Sequence, residues 1–190
     1  MSAQIILASA SPRRKELLEQ IRVTYLVNPV DLDETPFPNE APQVYVQRLA
    51  AEKSAACVVQ CGNTLPVLAA DTAVVLGDVI MGKPKDQADA LAMLKQLSGQ
   101  THQVYTALSL RGQQHWQALS ITEVTFRTLT EIEILAYWYT GEPFDKAGSY
   151  AIQGQGGVFV ESIRGSFSGV VGLPLFETAE LLAKQGIKVV

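Results

Sequence analysis

The chain begins with an apolar run that turns straight into a basic helix start: Ile5-Ile6-Leu7-Ala8, then Ser9-Ala10-Ser11-Pro12, then Arg13-Arg14-Lys15-Glu16-Leu17-Leu18. The first four residues read as a buried strand, and Pro12 suits the first helical position, where its missing N–H is not needed. Ser11 stands where a side chain caps the exposed N–H groups of a helix. The three cations of the first turn oppose the helix dipole, which favours negative charge at that end. A bound anion would offset that cost. A phosphate group would use the backbone N–H groups, the hydroxyls of Ser9 and Ser11 and the bidentate donors of Arg13 and Arg14 together. A solvated basic face that happens to open a helix fits the same residues, so the segment alone leaves both readings open.

With 190 residues, 47% of them hydrophobic and 18% charged, the chain has room for one domain, taken as 1–190, and two would be cramped. A net charge of −4 argues against a protein that coats nucleic acid, but a small polyanion in one local basic pocket remains allowed. Met1-Ser2-Ala3-Gln4 opens no basic segment leading into a long apolar one, and no run approaches the roughly 18 apolar residues of a membrane span. A cytoplasmic protein without a membrane partner is therefore expected. Cys57 and Cys61 lie one helical turn apart and form neither a Cys-x-x-Cys pair nor a zinc set, so they read as packed thiols.

Helix and strand signals alternate without linker or repeat. The proline-dense stretch 36–42 is a loop delivering a helix over 43–59, with Tyr45, Leu49 and Ala56 on its apolar face and Gln47, Glu52 and Lys53 on its polar one. Strands are expected over 65–70 and 73–80, with a turn at Gly77-Asp78 and with Asp71 between them. Asp86 caps a helix over 87–97. Two long antiparallel strands, about 102–110 and 116–129, come next. Thr130-Glu131-Ile132-Glu133 is a capping box, which predicts Ile132, Leu135, Ala136 and Tyr139 on the core side of the following helix. A strand over 157–163 and a helix over 174–186 complete an α/β or α+β domain whose strand order the residues do not fix.

Several further segments can carry chemistry. Asp71 follows the apolar run 65–70, so its carboxylate emerges where α/β sheets place functional groups, although a turn aspartate fits the same position. Glu34 and Asp71 offer oxygens of the kind Mg²⁺ prefers, but Asp31, Asp33 and Glu34 also read as an acidic loop. Lys53 alone would be an ordinary solvated helix lysine, and Lys83, between Gly82 and Pro84, an exposed turn lysine. His102 and His115 read as structural or surface groups rather than general bases. Gln153-Gly154-Gln155-Gly156-Gly157 lacks the strand-to-helix setting of a phosphate-binding loop, and reads as a turn that approaches a ligand or packs tightly.

Taken in order, the opening segment with Asp33-Glu34, Arg48-Leu49-Ala50-Ala51-Glu52-Lys53, Ala70-Asp71-Thr72, Gly82-Lys83-Pro84, Ser98-Gly99-Gln100-Thr101-His102, Lys146-Ala147-Gly148-Ser149-Tyr150-Ala151-Ile152-Gln153-Gly154 and Val171-Gly172-Leu173-Pro174 resembles the Maf-type nucleoside triphosphate pyrophosphatases, once described as septum-formation proteins. The resemblance spans nearly the whole chain. It implies an elongated mixed β-sheet with flanking helices and a nucleotide cleft between two lobes, and hydrolysis of a nucleoside triphosphate to the monophosphate and pyrophosphate with a divalent cation, Mg²⁺ or Mn²⁺. By the same resemblance Asp71 is the proton acceptor. Glu34, Lys53 and Lys83 share the chemistry, Glu34 and Asp71 hold the metal, and Ser9, Ser11, Arg13, Arg14, Thr72 and Gln153 bind substrate. The set Arg13, Thr72 and Gln153 looks like the branch acting on dTTP and UTP, with removal of unwanted nucleotides as the cellular use. Family members commonly pair, so a homodimer is part of what the resemblance implies, while Trp116, Trp138 and Tyr139 fit an interface or, as aromatic residues on a helix or strand more often do, the core. Two rival readings share the site: a nucleotide-binding regulator of septum formation with little turnover, and a pyrophosphatase preferring purine or modified purine nucleotides.

Overall fold

Strand β3 (Val67–Leu76) organises the molecule, because its two edges are treated differently. The structure, a computed structural model, describes residues 2–62 and 64–189. One edge of β3 is paired antiparallel with β5 (Thr101–Arg111) from Val67 opposite Arg111 to Val75 opposite Gln103. The other edge is shared by two short strands. β1 (Ile5–Leu7) runs parallel to the first half of β3, with Ile6 opposite Val67 and Leu7 opposite Leu68. β4 (Val79–Met81) folds back antiparallel on the second half, with Val74 opposite Met81. The carboxyl ends of β1 and β4 therefore point towards each other, and the edge between them, at Asp71 and Thr72, is left open.

Open α/β sheets place ligands outside the carboxyl ends of strands where neighbouring chains diverge. This gap is such a place, and it is the cleft that the opening segment and the Gly82-Lys83 loop enter from opposite sides. β2 (Tyr25–Val27) extends the sheet beside β1, and β6 (His115–Phe126) and β7 (Val160–Arg164) extend it beyond β5, in the order β2-β1-β3-β5-β6-β7 with β4 beside β3. The expected break at Asp71 does not occur. β5 pairs without interruption past that residue, with Ala107 opposite Asp71, so the carboxylate arises from mid-strand rather than from a strand end.

Alternation along β3 sends odd and even residues to different layers. Ala69, Ala73 and Val75 lie under α2 (Pro42–Cys61), against Val46, Ala50 and Cys57, with Ala107 from β5. Leu68, Ala70 and Val74 face the larger core, built with α1 (Pro12–Gln20), α3 (Gln87–Leu97), α4 (Glu131–Tyr139), α5 (Phe167–Val171) and α6 (Leu175–Lys184) through Leu17, Leu18, Leu94, Leu97, Ile134, Tyr137, Val171, Leu181 and Leu182. Two of the three expected helix caps form: the Asp89 N–H donates to the Asp86 side chain, and Thr130 and Glu133 exchange hydrogen bonds.

Four further expectations are corrected. On α4 the core side is Ile134 and Tyr137, whereas Ile132 is 82% and Tyr139 73% exposed, because the helix enters with its capping box in solvent and rotates the predicted stripe outward. On α2 the buried stripe is Val46, Leu49, Ala50, Lys53, Ser54 and Cys57, so Lys53 belongs to the inner face. The segment read as a strand over 157–163 opens as a 3-10 turn, Gln155–Phe159, before β7. Ser11 occupies the N-cap position of α1 but makes no capping bond with its side chain; instead its own N–H donates to Ser9 Oγ at 3.2 Å. β2 and α5 carry no signal strong enough to expect, each being five residues or fewer.

Candidate active site

The gap in the edge of β3 opens into a cavity of about 610 Å³ lined by the residues around Ser9 to Arg14, by Glu34, Lys53, Asp71, Thr72, Lys83 and Gln153, and by 145–147 and 150–152. Every site residue expected from the sequence reaches it. Their placement follows from the sheet, since Asp71 points to the α2 side and Thr72, one residue on, to the other.

On the α2 side the layer between helix and sheet is made of small side chains such as Ala50, Ala73 and Ala107, which leaves room for Lys53 to reach inward. The Lys53 ammonium is only 9% exposed as a residue and donates to Asp71 Oδ1 at 2.6 Å and to Glu34 Oε1 at 2.5 Å. A lysine placed between two carboxylates draws them to one point. The two carboxylates titrate apart. Burial pushes the Asp71 carboxyl up, and the nearby Lys53 and Arg14 offset this only in part. Burial also pushes Glu34 up, but the bond to Lys53 and the charges of Lys53, Lys83 and Arg14 outweigh it and leave Glu34 below its ordinary value. Carboxylates separated in this way divide into a basic partner and a permanent anion.

Glu34 is carried by the irregular segment between β2 and α2, which is clasped to the helix. Arg48 donates Nε to Glu40 Oε1 at 2.6 Å and Nη2 to Glu40 Oε2 at 2.7 Å, a fork-on-fork pair, while the Phe37 ring lies 4.0 Å from its guanidinium carbon. Tyr45 Oη donates to the Glu34 backbone oxygen at 2.9 Å. Its phenol is pushed up to about 12 by burial and by the negative charges of Asp71 and Glu34, so it remains a neutral donor.

On the opposite side Arg14 is partly buried and bonded entirely to uncharged acceptors: Nε to the Gly172 oxygen at 2.9 Å, Nη1 to Ser9 Oγ at 3.1 Å and Nη2 to Thr72 Oγ1 at 3.3 Å. Burial lowers its pKa, with the Asp71 charge opposing that and the Arg13 charge adding to it. A partly buried cation with neutral partners is poised for an anion. Arg13, further out, is also lowered by burial and faces Asp145. Because Ser11 does not cap α1, its hydroxyl and the first free N–H groups of the helix remain available beside these cations. Lys83 is exposed on the far rim, and Gln153 is exposed at the end beyond Tyr150.

Glu34 and Asp71 fit a hard divalent cation. Asp71 Oδ2 and Glu34 Oε2 take no protein donor among the described residues, and both are oxygens. No group of three or more His, Cys, Asp or Glu gathers among the described residues, so a cation at Glu34 and Asp71 would complete its coordination with water and phosphate oxygens. The histidines are structural: His102 Nε2 pairs with Tyr150 Oη at 2.8 Å and His115 Nε2 with Ser109 Oγ at 2.8 Å. The two thiols are free, Cys57 buried and Cys61 beside it. No described helix is long and apolar enough to cross a membrane.

Reading the sequence alone misses Tyr45 as a support of Glu34, because its spacing reads as core. It also misses Lys146 and Asp145 as cavity residues, although Lys146 opens the same block that carries Gln153. Cations and hydroxyls converging on a pair of carboxylates at the open edge of a mixed sheet define a phosphate-handling α/β protein. The sequence pattern of the Maf-like protein family matches residues 4–185, and the chain belongs to that family. It is 53% identical over 180 residues, 94% of this chain and 91% of the relative, to a dTTP/UTP pyrophosphatase of Escherichia coli O6:K15:H31 (strain 536). It is 52% identical over 185 residues, 97% and 92% of the two chains, to a dTTP/UTP pyrophosphatase of Methylococcus capsulatus (strain Bath). Among solved structures, a nucleoside-triphosphatase, or dITP/XTP pyrophosphatase, of Mycobacterium abscessus shares the fold with a TM-score of 0.50 at 16% identity, covering 95% of this chain and 93% of that one.

Proposed function

We propose that this protein hydrolyses dTTP and UTP between the α and β phosphates, releasing the nucleoside monophosphate and pyrophosphate. The observation that carries the reading is the Lys53 ammonium holding Asp71 and Glu34 together at the floor of the cavity, beside an Arg14 bonded only to neutral groups. The family membership and the names of the relatives support the same reaction and the same pyrimidine substrates.

Asp71, the carboxylate made more basic by burial, accepts the proton of the attacking water. The water oxygen bonds to the α phosphorus as the bond from that phosphorus to the bridging oxygen breaks, and the electron pair leaves with pyrophosphate. Arg13, Arg14, Lys53 and Lys83, with the hydroxyls of Ser9 and Ser11 and the α1 N-terminus, neutralise and orient the phosphates. Glu34 and Asp71 would hold a divalent cation, which when bound supplies further charge neutralisation at the phosphate oxygens. Thr72 and Gln153, on the side away from α2, face the nucleoside, and the Gln153 amide offers both a donor and an acceptor to the edge of a pyrimidine.

The test is pyrophosphate release from dTTP, UTP, CTP, GTP and 7-methyl-GTP with Mg²⁺ or Mn²⁺ and with a chelator control. Metal-dependent turnover led by dTTP and UTP is the expected result. Binding across the panel without turnover would replace the enzyme with a nucleotide-binding regulator, and turnover led by purines would move the specificity.

A further inference from the structure

The glycine-rich run 153–157 wraps a carboxylate. Glu142, just beyond α4, accepts the Gln155 N–H on Oε2 at 2.9 Å and the Gly156 N–H on Oε1 at 2.9 Å. Oε1 also takes the Tyr137 hydroxyl at 2.7 Å, and the Tyr137 oxygen in turn accepts the Ala151 N–H at 3.1 Å. Gln153 thus lies midway between two anchored backbone positions, Ala151 and Gln155, both tied to the same pair of side chains. The Gly154 N–H closes the loop on the Ala151 oxygen at 3.2 Å.

The glycines are what this arrangement requires. A Cβ at Gly154 would run into the Glu142 carboxylate, and one at Gly156 would sit 2.6 Å from Tyr137 Oη and 2.9 Å from the Ala151 oxygen. The carboxylate itself is fixed from behind, since the Glu142 N–H donates to Thr140 Oγ1 at 3.1 Å and Tyr137 is anchored in the core. Three donors on one ionised acceptor, with the hydroxyl relaying a fourth, form a connected network in which each bond strengthens the next. Its output is a segment with little freedom to move, and the one long polar side chain that this segment presents to the cavity is Gln153.

We propose that Glu142 and Tyr137 are positioning residues for base selection: they hold the Gln153 segment at a fixed distance from the phosphate site, so that the Gln153 amide meets the edge of a pyrimidine and not that of a larger base. The inference rests on Gln153 reading the base, as given above. Neither residue touches the phosphates, so their loss acts on the choice of substrate before it acts on turnover.

The test measures kcat/KM for UTP and GTP in Glu142→Gln, Tyr137→Phe and Gln153→Ala, each pair of substrates on one preparation so that any inactive fraction cancels in the ratio. Glu142→Gln keeps the shape but replaces one accepting oxygen with a donor, and Tyr137→Phe removes the relay with little change in volume. Each is expected to lower the UTP-over-GTP ratio roughly tenfold, with kcat for UTP within about threefold of wild type. Adding Gln153→Ala to either should lower the ratio no further than Gln153→Ala alone, because the effect runs through that residue. A ratio unchanged in both Glu142→Gln and Tyr137→Phe, while Gln153→Ala lowers it, overturns the positioning role and leaves the base-reading role standing. A ratio unchanged in Gln153→Ala overturns the base-reading role and the positioning role with it.

Discussion

Asp71 and Thr72 are adjacent in β3 and open on the same cavity, yet their surroundings share almost nothing. Behind Asp71 stands a layer of opposite charges, with Lys53 between two carboxylates and Arg48 forked on Glu40. Behind Thr72 the cation Arg14 stands among neutral groups. Thr72 Oγ1 meets Thr106 Oγ1 at 3.0 Å, Arg14 is held by a serine, a threonine and a carbonyl, and the wall beyond is Tyr150 against an uncharged His102. Charges respond strongly to developing charge and so suit a reacting phosphate, whereas neutral hydrogen bonds, which fail when a partner is misplaced, suit recognition. An open strand edge lets one cavity reach both faces of a sheet and use both kinds of surrounding.

The comparison breaks most visibly at Lys53. Lys53→Met leaves Asp71 and Glu34 without their common cation, and should lower turnover by roughly 10²–10³-fold, as removing one preorganised donor does. It should also cost about 3 kcal/mol of stability, the low end for a broken buried pair because Glu34 is partly exposed. Initial rates and urea midpoints on the same protein measure both.

The neutral face should fail on acidification instead. Burial lowers the His102 pKa to about 4, and its Nδ1 has no hydrogen-bond partner among the described residues. Between the unfolded value of about 6.5 and pH 4 the unfolded chain binds a proton that the folded chain refuses, so stability falls with pH across that window, by about 3 kcal/mol in all. Above pH 6.5 this contribution is flat. Urea midpoints at pH 7 and pH 4.5 should separate clearly in wild type and draw together in His102→Gln.

Arg48 sharpens the charged side more gently. Arg48→Ala releases the clasp on the segment carrying Glu34, and should raise the Mg²⁺ concentration for half-maximal rate roughly tenfold, as lost outer-shell support does, with kcat within a few-fold. A metal titration of the rate measures it, and an unchanged midpoint would show that Glu34 needs no such support.

The two faces also differ in how far the sequence reveals them. The strand-to-helix start from Ile5 to Leu18, the cap at Asp86 and the capping box at Thr130 are local, so spacing alone exposes them, and the structure realises all three elements, though without the expected Ser11 side-chain cap. Lys53 is not local. Its burial depends on two carboxylates 18 and 19 residues away along the chain, so hydropathy places it on the wrong side of α2, and only the resemblance to a known family gives it a role. Asp71 fails for a related reason: a polar residue in an apolar run reads as a break, whereas the neighbouring β5 carries the strand through and Lys53 meets the charge. Tyr137 and Glu142 are hidden most fully. They act on backbone N–H groups 13 or 14 residues on, and the only trace in the sequence is the glycine run that makes room for them.

The division of labour is tested most directly at Asp71. Asp71→Asn keeps the size of the side chain and its contact with Lys53 while removing the proton acceptor, so pyrophosphate release from UTP should fall by about 10³-fold. UTP affinity, measured by calorimetry on the same variant, should stay within about threefold of wild type, since the cations and hydroxyls around the cavity are left in place. Turnover at the wild-type rate would contradict the account, and so would a loss of binding that matched the loss of turnover.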